Sequence, residues 1–83
     1  MKRIRYNYNQ ESKLFECSPI FTGMGFVVAR YNNITLEYSI INYDSKAIIY
    51  NGIGKNKTIM LKEIRQHLIN LGAVIFEEVR KRS

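Results

Sequence analysis

Apolar and polar residues alternate over the first half of the chain and then switch to a spacing of three and four. In "RIRYNY", residues 3–8, Ile4, Tyr6 and Tyr8 fall on one face and Arg3, Arg5 and Asn7 on the other. A period of two predicts a half-buried strand. "NQES" reads as a turn and "KLFEC", residues 13–17, as the returning strand of a hairpin. Ser18-Pro19 ends that strand, because proline has no amide to donate. In "FTGMGF", Gly23 and Gly25 flank Met24 and predict a sharply bent connection. "FVVARY", residues 26–31, is a strand, Asn32-Asn33 a two-residue turn, and "ITLEYSIINY" the strand that comes back. In that last stretch Ile34, Leu36, Tyr38 and Ile40 share one face, and Thr35, Glu37 and Ser39 the other. "DSK" turns again, and "AIIY", residues 47–50, closes a three-stranded antiparallel meander with one buried face.

The period then changes. Thr58 has the side-chain oxygen of an N-cap, and residues 59–71 carry Met60, Ile64, Leu68 and Leu71 at spacings of four, four and three, which make one apolar stripe. Gly72 stands where a helix commonly ends in a left-handed residue. "AVIFEEV", residues 73–79, is rich in β-formers and predicts a last strand. The order predicts an α+β domain over residues 1–83: a hairpin, a three-stranded meander and a C-terminal strand in a mainly antiparallel sheet, with one helix packed on its apolar face.

Length limits what such a domain can be. Eighty-three residues suffice for one small core, burying about 60% of the unfolded surface. A single cysteine, Cys17, excludes an internal disulfide, and with a single histidine, His67, it leaves a structural zinc site without its four ligands. Cys17 reads as a buried, inert thiol. No apolar run approaches the roughly 20 residues of a membrane helix, and no secretory segment follows the basic start. A cytoplasmic protein without a metal or cofactor is the expectation. No repeated unit is evident.

Charge narrows the partner. The net charge is +6, and eight of the thirteen cationic residues fall in three patches that contain no acidic residue: Lys2, Arg3 and Arg5; Lys55 and Lys57; Arg80, Lys81 and Arg82. Such patches suit phosphate contacts, which give affinity and salt dependence rather than base readout. Tyr31, Tyr43 and Tyr50 lie near predicted turns, where they are candidates for stacking on bases, while Tyr6 and Tyr38 belong to the core face. The expected function is that of a non-enzymatic binding module contacting nucleic acid or a nucleic-acid-handling complex. The alternative, a protein-binding inhibitor, follows from size and composition alone: small α+β chains rich in Asn and Lys resemble phage-encoded counter-defence proteins, including anti-CRISPRs.

"YNGIGKNKTIMLKE", residues 50–63, carries the strongest suggestion of chemistry. It lacks the G-x-x-x-x-G-K-[ST] of a nucleotide phosphate loop, because Asn56 follows Lys55 and Ile49 stands five residues before Gly54. It also lacks the third glycine of a dinucleotide fingerprint, where Lys57 stands. The layout of residues 48–79, strand, glycine-x-glycine loop, helix and strand, resembles the acetyl-CoA segment of the GNAT acetyltransferases. That resemblance implies a pyrophosphate held by the loop amides and the helix N-terminus. The sequence departs from the family where Lys55, Asn56, Lys57 and Thr58 separate the glycines from the apolar helix, and where Tyr50 and Asn51 replace the basic residue before Gly52. The other reading is that Gly52 and Gly54 reverse the chain and Lys55 and Lys57 are solvated, with an anion contact at the 52–58 loop left open. Glu63 and His67, one helical turn apart, form an acid–base pair on paper and a surface ion pair otherwise.

Overall fold

The computed structural model describes residues 4–73. The alternating segments become six strands: β1 Tyr6–Asn9, β2 Leu14–Cys17, β3 Ile20–Thr22, β4 Gly25–Tyr31, β5 Glu37–Asn42 and β6 Ile48–Ile53. The periodic segment becomes one helix, α1 Lys57–Asn70. All pairings are antiparallel, in the order β1-β2-β4-β5-β6, with β3 also on β4. The α+β expectation holds. The expected strand at 73–79 lies, apart from Ala73, outside the described residues.

β2 and β3 are two halves of one broken strand. Phe15 pairs with Tyr31 and Ile20 with Val27, so the register slips by one residue between them. Pro19 causes the break, having no amide for the ladder. At the break the Ala29 amide donates to the Cys17 sulfur at 3.3 Å. Pro19 therefore interrupts the strand rather than ending it, and Gly23-Met24 is a tight hairpin turn whose far side, Gly25, has φ +89°.

The other three hairpins use one device. Each turn begins with asparagine, has serine or threonine three residues on, and then one residue of positive φ: Asn9, Ser12, Lys13; Asn32, Thr35, Leu36; Asn42, Ser45, Lys46. The asparagine Oδ1 accepts the amides two and three residues ahead, at 2.7–3.3 Å. Its backbone carbonyl accepts the amide of the positive-φ residue. The hydroxyl oxygen then accepts the amide two residues beyond it. Short polar side chains that bond their own backbone are the usual means of stabilising such turns. The expected two-residue turn at Asn32-Asn33 is thus a longer loop, and Ile34, expected on the core face, sits at its tip 88% exposed. A short motif does recur in this chain, three times.

Asn56, not Thr58, caps α1: its Oδ1 accepts the Ile59 amide at 2.9 Å. The helix ends as the glycine predicts. Gly72 has φ +95°, the Ala73 amide bonds the Leu68 carbonyl and the Gly72 amide that of Ile69, which is the two-bond Schellman closure. The Gly23 amide bonds the Leu71 carbonyl at 2.9 Å, tying the helix end to the β3–β4 turn. Met60, Ile64 and Leu68 are fully buried and join Tyr38, Ile40, Val27 and Ala29 in the core, with Leu36 and Leu71 packed at its margin. Each fully buried side chain contributes about 1.5–3 kcal/mol, and the three together hold α1 on the sheet.

Asn42→Ala should cost about 1 kcal/mol, because two amides lose their acceptor. Lys46→Gly should be neutral or stabilising by up to about 1 kcal/mol, since only glycine adopts positive φ without strain. Urea denaturation of both variants checks the pair, and a destabilised Lys46→Gly would contradict the turn geometry.

Candidate functional site

Pairing registers divide the sheet into two faces. Tyr6, Phe15, Cys17, Ala29, Tyr31, Tyr38 and Ile40 alternate onto the face that α1 covers. No described element covers the other. Across that open face runs a row of polar residues, one from each strand of the main path: Asn7, Glu16, Arg30, Ser39 and Asn51, each paired with the next. An apolar row, Val28, Ile41 and Ile48, lies along one side of it. Phe21 and Phe26 pair beyond that row, with ring centroids 5.2 Å apart. Leu14 and Ile53 bound the other side. Phe21, Ile48 and Ile53 are more than 60% exposed and Phe26 is 46% exposed, which is unusual for large apolar side chains gathered on one face of so small a protein.

Arg30 is the centre of this face. It lines two shallow concavities, one of about 480 Å³ with Leu14, Ser39, Asn51 and Ile53, and one of about 400 Å³ with Glu16, Val28, Ile41 and Tyr43. Glu16 lies 3.6 Å from the Arg30 Nη1. Its carboxylate is already engaged: Oε1 accepts from Asn9 Nδ2 at 3.2 Å and Oε2 from the Ser12 hydroxyl at 3.1 Å. The first asparagine turn therefore positions Glu16, and Glu16 orients Arg30. The Arg30 Nε is buried and has no hydrogen-bond partner. A guanidinium has five N–H donors in a planar fork suited to a carboxylate or a carbonyl pair, and most of that capacity is free here.

Of the basic residues singled out in the sequence, the three that are described, Arg5, Lys55 and Lys57, do not gather. Lys2, Arg3, Arg80, Lys81 and Arg82 lie outside the described residues. Arg5 is exposed just before β1, at one edge of the sheet, and Lys55 and Lys57 are exposed after β6, at the other edge. Tyr8, Phe15, Tyr31, Tyr38 and Gly52 are in register across the strands, so Arg5 and the two lysines occupy diagonally opposite corners.

Of the three tyrosines considered for stacking, Tyr31 is a correction. It is 4% exposed, stacked on Phe15 at 5.2 Å and met edge-on by Tyr6 at 5.0 Å, so it fills the core and offers no platform. Tyr50 lies against the His67 ring at 3.7 Å. Tyr43 remains exposed, with the Lys46 ammonium 4.8 Å from its ring.

The glycines of the 50–63 stretch have packing roles. Gly52 lies inside β6, where a Cβ would come within 2.8 Å of the Tyr38 hydroxyl. Gly54 is buried, and a Cβ there would run into Met60 at the start of α1. Gly54 is thus where the helix leans on the chain that leads into it. The Asn56 side chain occupies the helix N-terminus that a pyrophosphate would need in the GNAT arrangement.

Glu63 and His67 turn to Tyr38 and Tyr50 rather than to each other. Glu63 accepts the Tyr38 hydroxyl at 3.0 Å, and burial followed by that carboxylate raises the tyrosine pKa above its ordinary value. Burial likewise raises the pKa of Tyr6 and of the Cys17 thiol, which keeps the thiol in its unreactive form. Among the described residues no cluster of His, Cys, Asp or Glu could hold a metal ion, and no helix is long and apolar enough to cross a membrane.

Arg30 escaped the sequence reading although it left a signal. It is the one charge in "FVVARY", set among Val27, Val28, Ala29 and Tyr31, which build the core. Comparison with protein-family models, characterised proteins and solved structures gives no match.

Arg30→Met should leave stability within about 0.5 kcal/mol of wild type or raise it, because a buried donor without a partner carries its desolvation cost unreturned. Urea midpoints measure this. A loss above about 2 kcal/mol would make Arg30 a structural clamp for Glu16 and remove the main reason to place it in a binding surface.

Proposed function

We propose that the protein is a non-enzymatic binding module whose partner is another protein, docked on the open sheet face. The observation that carries this reading is the exposed set Phe21, Phe26, Ile48 and Ile53 on the same sheet face as the under-bonded Arg30. Exposed aromatic and aliphatic residues surrounding an arginine have the composition of an interface centre, where a few large side chains and arginines supply most of the affinity. A partner carboxylate or backbone carbonyl would satisfy the guanidinium, and the concavities beside it would take apolar side chains. An inhibitor that works by covering a surface needs nothing more, and the counter-defence type of activity is the specific form this reading would take.

Nucleic-acid binding is the competing reading, and the net charge of +6 favours it. Its weakness is the separation of Arg5 from Lys55 and Lys57. A phosphate-tracking surface gathers its cations along one groove.

Two variants and one titration divide the readings. Phe26→Asp/Ile53→Asp should abolish co-purification of the partner from the native host while leaving the fold intact by circular dichroism. Lys55→Ala/Lys57→Ala should leave co-purification unchanged. Titration with single-stranded and duplex DNA and RNA across a salt series supplies the other arm. Phosphate contacts give a slope of log K against log salt of about 0.9 per contact for duplex DNA. Tight binding whose slope falls by one to two units in the lysine variant would overturn the protein-partner reading.

A further inference from the structure

The two edges of the sheet are protected unequally. β1 is four residues long and is bracketed by Arg5 and Lys13. Short strands and flanking charges are the usual defence against edge-to-edge pairing. β6 spans six residues, Ile48–Ile53, with no charge and no proline; Lys46 and Lys55 stand two residues beyond its ends, so its greater length is what sets it apart from β1. It pairs with β5 alone among the described residues. Its one irregularity is a register shift near Ile49, which leaves Tyr50, Asn51 and Gly52 in regular pairing.

We propose that β6 is a self-association edge, through which two copies of this chain pair antiparallel about a two-fold axis at Asn51. Opposite residues of an antiparallel pair lie on the same face of the sheet. Tyr50 and Gly52 lie on the helix-covered face and Asn51 on the open one, so an axis between two residues is forbidden and one centred on a residue is required. Centred on Tyr50 or Gly52, the pairing runs into the shift at Ile49 or beyond the strand end. Centred on Asn51, it uses the regular stretch and is self-complementary. Tyr50 of each copy then lies across from Gly52 of the other, beside the Tyr38 ring that already covers that glycine. The two Asn51 amides face each other and can exchange hydrogen bonds, and Ile53 of each copy approaches the Ile48–Ile49 end of the other, covering apolar surface that is exposed in the single chain.

The interface is small and the association correspondingly weak, in the micromolar range or above. Its salt response has a definite sign. Two copies of net charge +6 repel each other, and salt screens that repulsion, so dimerisation strengthens as salt rises. Phosphate contacts weaken as salt rises, which keeps the two behaviours apart. The edge shares Ile48, Asn51 and Ile53 with the open face, whereas Phe26 lies on β4 away from the edge, so Phe26→Asp alone should remove partner binding and leave dimerisation unchanged.

Sedimentation equilibrium from about 5 µM to about 1 mM, at about 0.05 M and about 0.5 M salt, tests it. The expected result is a monomer–dimer equilibrium with more dimer at high salt. Asn51→Lys sets like charges opposite each other across the axis and should weaken dimerisation at least tenfold, whereas Asn7→Lys adds the same charge to β1 and should not. Asn51→Cys should form an intermolecular disulfide under mild oxidation, and Asn7→Cys should not. A protein monomeric at every concentration, a dimer that Asn7→Lys weakens as much as Asn51→Lys, or an Asn51→Cys variant that fails to cross-link would each overturn the proposal.

Discussion

The side-chain oxygens of Asn9, Asn32 and Asn42 hold this sheet in register. Each gathers two amides of its own turn, while the backbone carbonyl of the same asparagine closes it on a residue of positive φ. A slip of one residue at any of these turns would send every side chain of the following strand to the opposite face. Tyr38 and Ile40 would leave the core, and Ser39 and Glu37 would enter it. The position of Arg30 on the open face, of Gly52 beneath Tyr38 and of Gly54 against Met60 all follow from turns that fix the pairing to the residue. Leu36 shows what this fixing costs. A leucine at φ +66° is strained, and it persists because its amide bonds Asn32, its carbonyl accepts the Gly54 amide and its side chain packs against the core.

The same device links fold to site. Asn9 stabilises the first turn through Oδ1 and binds the Glu16 carboxylate through Nδ2, and the Ser12 hydroxyl accepts within the turn while donating to Glu16. Glu16 is thereby drawn away from full pairing with Arg30. A salt bridge closed by two good hydrogen bonds would have neutralised this face. Instead the guanidinium keeps donors in reserve within a polar row flanked by apolar residues. Reserve hydrogen-bonding capacity of that kind is what a surface needs in order to gain on meeting a partner, because bonds already made inside the protein cannot be made across an interface.

Much of this was legible from spacing. The period of two in residues 34–43 places Tyr38 and Ile40 together, and the four-four-three spacing of Met60, Ile64, Leu68 and Leu71 gives the helix face that meets them. Boundaries were less legible where two residues share the same chemistry. Asn56 and Thr58 both cap helices, and only the packing of Gly54 on Met60 sets the start at Asn56. The strand β3 was hidden because Pro19 and the glycines around Met24 look like a connector, while the pairing that restores it lies across the sheet. Gly52 was assigned to a loop because glycine weakens strands, yet the Tyr38 ring overhead demands a residue without a side chain. The asparagine turns are the clearest missed pattern. An asparagine with serine or threonine three residues later, written three times, needs no structure to be seen, only the recognition that side-chain oxygens stand in for backbone acceptors. The site was less legible still, since no spacing rule marks a face that lacks a cover.

The account depends on one face of the sheet being closed and the other open. Nuclear magnetic resonance with a soluble gadolinium chelate measures both together, because side-chain signals broaden in proportion to their access to solvent. Phe21, Phe26, Ile48 and Ile53 should broaden strongly, while Val27, Ile40, Ile64 and Leu68 should be spared. Protection of the first group equal to that of the second would mean that the open face is covered and would contradict the account.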